Sequence, residues 1–221
     1  MQKPPRAESL TIDGNAGRLE AVLEAPRTGE PSAVAVVCHP HPLHGGTMHN
    51  KVAHTLARAF LASGFAALRF NFRGTGDSDG RFDDGNGEVD DVLACIDWMR
   101  RRFPGRSPWL AGFSFGAAMS IRAAVAADVA GLVSVAPAAF RFAGSLREQP
   151  DCPWLIVHGA EDELVPIDES VKWVDSLEPG PELVVFEDTT HFFHGKLVEL
   201  RETVRAFVER SESPTAERAD R

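Results

Sequence analysis

Apolar positions along this chain follow two rhythms. Six short runs are apolar at nearly every residue and bounded by turn formers: AVAVVC (33–38), FAALRF (65–70), PWLAGF (108–113), AGLVSV (130–135), PWLIVH (153–158) and ELVVF (182–186). Such runs predict strands covered on both faces, as in a parallel sheet. Between them apolar residues recur at helical spacing: Val52, Leu56 and Phe60, closing near Ser63-Gly64; Val89, Val92, Leu93, Ile96 and Met99; and Leu197, Leu200, Val204, Phe207 and Val208. Another helix is predicted from Phe115. Ahead of these, GRLEAVLEA (17–25) alternates, and with residues 8–12 predicts an antiparallel hairpin through Asp13-Gly14. Strands alternating with helices predict an α/β fold, a mostly parallel eight-stranded sheet with helices on both faces. No repeat or linker divides the chain, so one domain, 1–221, is expected, with its core from about residue 8 to 210. Residues 1–7 and the tail SESPTAERADR (211–221) are polar and aperiodic and are expected to fray.

Open α/β sheets place their chemistry beyond the carboxyl ends of the strands. At one such end stands LAGFSFGAAMS (110–120), with Ser114 between Gly112 and Gly116. G-x-S-x-G between a strand and a helix is the nucleophile-elbow pattern, in which a serine sits on a sharp turn with its hydroxyl presented for attack. A serine needs a base to take its proton, and the base needs an orienting carboxylate. Both types follow on later strand ends. HGAEDELVP offers Glu161, Asp162 and Glu163, and EDTTHFFHG offers His191 and His194.

The hairpin start, GFSFG, the HGAED loop and DTTHFFHGKL together resemble the α/β-hydrolase superfamily from about residue 8 to 210. CHPHPLHGGTMHNKV (38–52) and NFRGTGDSDG (71–80) resemble a group of small bacterial serine hydrolases related to the dienelactone-hydrolase branch. Dienelactone hydrolases proper use a cysteine where this chain has Ser114. The resemblance implies Ser114 as nucleophile, His191 as base, and Asp162, four residues past His158, as the acid. Glu161 and Glu163 are then read as solvated loop residues, and His194 as a helix-entry or packing residue at a helix starting near it. For the oxyanion hole the implied donors are the backbone N–H groups of Phe115 and His41, with Leu43 as the near alternative, because Pro40 and Pro42 have no N–H.

Other signals change the picture less. Five histidines crowd residues 39–54, without a metalloprotease pattern or interspersed ligands, so no metal is expected, and no cofactor. Arg73-Gly74-Thr75-Gly76 lacks the lysine of a phosphate loop and reads as a structural turn, with Arg73 bordering the pocket as an open option. The fourteen residues from Pro137 to Pro150 suffice for one short helix and a loop, so no lid domain is expected and the site should open to water. A net charge of −9 argues against nucleic acid as partner. Three scattered cysteines and an N-terminus without an apolar signal region predict a cytoplasmic protein, and no apolar run is long enough to span a bilayer. The expected partner is a small-molecule acyl substrate, and an uncapped surface leaves room for a homodimer. The function expected is a serine hydrolase cleaving short-chain carboxylic esters through an acyl-enzyme. A non-catalytic scaffold of the same fold, an acyltransferase and a peptidase are the alternatives.

Overall fold

The computed structural model describes residues 5–142 and 148–213. Eight strands form one sheet: β1 (Arg6–Gly14), β2 (Gly17–Ala25), β3 (Val34–Cys38), β4 (Ala66–Phe70), β5 (Trp109–Phe113), β6 (Gly131–Val135), β7 (Trp154–Gly159) and β8 (Glu182–Phe186). Their order across the sheet is β1-β2-β4-β3-β5-β6-β7-β8. β1–β2 and β2–β4 are antiparallel pairs, and the other pairs are parallel. The hairpin turns two residues later than the sequence suggested. Asp13 pairs with Arg18 and Gly14 with Gly17, leaving Asn15-Ala16 as the connection.

Alternation along the buried strands feeds two cores. Val36, Leu68, Leu110, Leu132 and Ile156 point to one face, where α2 (Asn86–Arg102) and α3 (Phe115–Ala126) pack. Their neighbours Val37, Ala67, Ala111, Val133 and Leu155 point to the other, covered by α1 (Lys51–Ala62) and α6 (Leu197–Glu212). A fully apolar strand is what this two-sided burial requires. Two short helices complete the first face, α4 (Ala139–Phe142) and α5 (Ile167–Val174). α4 follows β6 as the length of that connection implies, and residues 143–147 beyond it lie outside the described residues. Among the described residues no lid domain stands between β6 and β7, and no helix is long and apolar enough to cross a membrane.

The end segments are more ordered than their composition implied. Arg6 and Ala7 pair with Ala25 and Glu24, and α6 extends through Ser211 to Glu212. Edge pairing and packing on the sheet hold these polar residues where composition alone would not. The rest of that expectation falls on residues 1–4 and 214–221, outside the described residues.

Candidate active site

Ser114 is the hinge between β5 and α3, at φ 56° and ψ −114°. A positive φ is unfavourable for any residue with a Cβ, and such strain collects at functional turns. Neighbouring bonds hold it: the Ser114 N–H donates to Val135 O at 2.9 Å, and Ala138 N–H donates to Ser114 O at 3.2 Å. The flanking glycines are required by close approach. A Cβ on Gly112 would lie 2.3 Å from Gly116 O, and one on Gly116 would lie 2.3 Å from His39 O. The N-terminus of α3 therefore packs directly against the loop after β3.

Asp162 and His191 come together from the ends of β7 and β8. His191 Nδ1 donates to Asp162 Oδ2 at 2.7 Å, with His191 3% and Asp162 7% exposed. The other carboxylate oxygen, Oδ1, accepts from the Leu164 N–H at 3.0 Å and the Val165 N–H at 2.7 Å. Burial opposes ionisation of Asp162, but the hydrogen bonds from His158, His191 and Val165 outweigh it and hold the carboxyl well below the usual range. It is a carboxylate at neutral pH. With Nδ1 donating, Nε2 is the lone-pair nitrogen of His191. The imidazole is fixed between Phe113 (ring centroids 4.9 Å apart) and Phe192 (5.2 Å).

Ser114 and His191 line one cavity of about 320 Å³, which also meets His41, Phe115, α4 and α5. No Ser114–His191 hydrogen bond closes among the described residues. Catalytic hydrogen bonds of this kind often tighten only in the substrate complex. Phe115, next to the serine, is 1% exposed. In the loop after β3, the Leu43 N–H donates to His41 Nδ1 at 3.2 Å, so the alternative oxyanion amide is already engaged. His41 O accepts from the amides of His44 and Gly46, which folds residues 41–46 into a tight turn.

Several residues behave differently from the sequence reading. Glu163 is not simply solvated: its Oε2 accepts from the His191 N–H at 3.2 Å, because the acid and histidine loops pack side by side through Glu161 N–H to Thr189 O. His194 is exposed, and α6 begins only at Leu197. Left-handed backbone at Phe193 (φ 54°) and Gly195 (φ 76°) keeps the intervening His194 out of the helix. Arg73 does not line the cavity. Its guanidinium and backbone N–H bind Asp91 on α2 at 2.8 to 3.1 Å, anchoring the turn after β4. Among the described residues no group of three potential ligands is arranged to hold a metal.

Two residues at the site have roles the sequence reading passed over. His158 is fully buried; its Nε2–H donates to Val165 O at 2.9 Å and lies 3.4 Å from Asp162 Oδ2, bracing the acid loop. His39 is fully buried too. Its Nδ1–H donates to Pro40 O at 2.6 Å and its Nε2 accepts the Phe72 N–H at 3.0 Å, clipping the loop that carries His41 to the end of β4. A histidine directly after an all-apolar strand was the available signal for a buried ring.

Burial lowers the His39 pKa from 6.5 to about 4, against the opposing hydrogen bond to Pro40. Between those values the unfolded chain takes up a proton that the folded ring refuses, so stability falls as pH drops. The loss amounts to about 3 kcal/mol by pH 4 and is absent above about pH 6.5. Thermal melts from pH 7.5 to 4.5 should show a steeper fall in Tm for the native chain than for His39→Gln, with the difference opening below about 6.5. A pH-independent offset between the two would show that the ring protonates freely in the fold.

The comparisons with known proteins agree with this fold. The family model of X-Pro dipeptidyl-peptidase (S15 family) matches residues 13–145. An uncharacterised protein of Rickettsia prowazekii is 30% identical over 209 residues, 90% of this chain and 87% of that protein. Among solved structures, an alpha-beta serine hydrolase homologue from Coxiella burnetii is 45% identical, covering 90% of this chain and 96% of that one, with a TM-score of 0.86. A Xanthomonas campestris protein described as an α/β serine hydrolase without lid is 41% identical, covering 97% of this chain and 99% of that one, with a TM-score of 0.89. This chain belongs to the α/β-hydrolase superfamily and, within it, to the S15 family whose model it matches.

Proposed function

We propose that this hydrolase is a carboxylesterase that cleaves short-chain esters through an acyl-enzyme on Ser114. His191 Nε2 takes the serine proton as Oγ attacks the ester carbonyl, then returns it to the leaving alcohol. Asp162 holds the imidazole in the required tautomer and stabilises its charged form. The amides of Phe115 and His41 receive the developing oxyanion. Water repeats the sequence to release the acid. The observation that carries this reading is the 2.7 Å bond from His191 Nδ1 to an ionised Asp162, with His191 and the strained Ser114 facing one cavity.

A cavity of about 320 Å³ is at the small end of ligand pockets, which favours short acyl groups. The S15 match supports a second reading, cleavage of peptides after proline, but it ends at residue 145, before Asp162 and His191. One assay separates the two. Acetyl, butyryl, hexanoyl and dodecanoyl p-nitrophenyl esters are compared with Xaa-Pro p-nitroanilides, above and below the solubility limit of the longest ester. The expected result is highest efficiency on two to six carbons, without activation at an interface. Faster turnover of the anilides would replace the esterase by the peptidase, and a peak at dodecanoate would refute the short-chain preference.

A further inference from the structure

The walls of the cavity beside Ser114 are unusually rich in rings. Phe115 and Phe142 meet edge to face at 5.0 Å, and His41 lies 5.0 Å from Phe115 and 6.0 Å from Phe142. Trp173 on α5 also lines the cavity and is set by an edge contact with Trp154 at 5.7 Å. Burial, then the neighbouring His44 and Arg141, lower the pKa of His41, so its ring meets a substrate uncharged at neutral pH. Arg141 and Glu169, both exposed, are lining residues of opposite charge.

One polar group interrupts this lining. Ser170 is 5% exposed, lines the cavity, and its hydroxyl has no hydrogen-bond partner among the described residues. A helical serine commonly satisfies itself on the carbonyl one turn back. Here Pro166 O accepts the backbone N–H groups of Glu169, at 3.1 Å, and Ser170, at 3.4 Å, and not the Ser170 hydroxyl. A hydroxyl on a largely buried residue, left accessible from a pocket, is placed to read a polar atom of the ligand.

We infer that the cavity takes an acyl group ending in an aromatic ring, an arylalkanoyl ester, with Ser170 Oγ bonding a hydroxyl on that ring. The inference rests on the acyl-enzyme reading of Ser114 and adds the substrate class. Ring faces and edges on the walls favour a planar ring over an aliphatic one of equal size, through the geometry of aromatic pairs. The acyl side stays on Ser114 after the alcohol leaves, so the ring-lined cavity belongs to it. The alcohol departs past the exposed Phe140 and Leu164 at the mouth.

The test compares kcat/KM for the methyl esters of acetic, hexanoic, cyclohexylacetic, phenylacetic and 4-hydroxyphenylacetic acids. Phenylacetate should exceed cyclohexylacetate by about three- to tenfold, the range expected for aromatic pairing. The ring hydroxyl should add about threefold or more, a gain that Ser170→Ala removes. Trp173→Leu and Phe142→Leu should bring the phenyl-to-cyclohexyl ratio toward one. The comparison in the native chain needs no variant to fold. Equal rates for the two rings, or hexanoate fastest, would overturn the inference while Ser114-dependent acetate hydrolysis left the esterase reading standing. No Ser114-dependent turnover on any ester would remove the esterase reading and this inference with it.

Discussion

Ser114→Ala is expected to lower kcat for ester hydrolysis by about a million-fold and to leave the fold unchanged. Removing the nucleophile of a working triad costs on that order, because the remaining groups bind and polarise the ester but cannot form the acyl-enzyme. The fold should survive because the Ser114 side chain makes no capping bond to α3. Its structural duties are carried by backbone, in the bonds to Val135 O and from Ala138 N–H. Alanine has the same Cβ and meets the same penalty at φ 56°, so the strain of the turn is retained rather than relieved. The measurements are kcat on butyrate esters, labelling by a fluorophosphonate probe, and a thermal melt. Labelling should vanish with turnover while Tm stays within a few degrees. A folded variant keeping more than a few percent of activity would move the chemistry to another residue, and a scaffold protein would show neither labelling nor turnover from the start.

The sheet was legible because its strands are buried on both faces, and a run such as AVAVVC has few other ways to be stable in a soluble α/β chain. The site residues were legible for a related reason. Ser114, Asp162 and His191 stand at strand ends, so finding the strands located the candidate site. What stayed hidden depends on contacts remote in sequence. α5 is eight residues long with only Ser170 and Val174 buried, too weak a pattern to stand out, yet it supplies Ser170 and Trp173 to the cavity. α4 and α5 meet beside the site and both line its cavity, which no local pattern announces. His39 and His158 looked like members of a histidine-rich loop and a strand end. Their work is done through Phe72 N–H and Val165 O, groups 33 and 7 residues away.

Those second partners also decide how the acid should respond to substitution. Asp162→Asn is expected to reduce kcat by about ten-thousand-fold, the scale seen when a triad aspartate becomes an amide, with KM little changed. The amide keeps one oxygen, which can still accept from the Leu164 and Val165 N–H groups at the Oδ1 position, so the loop should hold its shape. The Oδ2 position then becomes an NH2 group facing His191 Nδ1, which donates to the carboxylate, with the His158 Nε2–H 3.4 Å away. To avoid opposing donors, His191 must shift its proton to Nε2, and an Nε2–H cannot accept the proton of Ser114. The loss should therefore fall on kcat, with phosphonate labelling slowed in parallel and the far-ultraviolet spectrum unchanged. Asp162→Ala should instead also lower Tm, because it deletes the acceptor of two loop amides, each bond contributing about 1 kcal/mol. If Asp162→Asn kept most of its turnover, Glu163, which already accepts the His191 N–H at 3.2 Å, would be the carboxylate to test as orienting group.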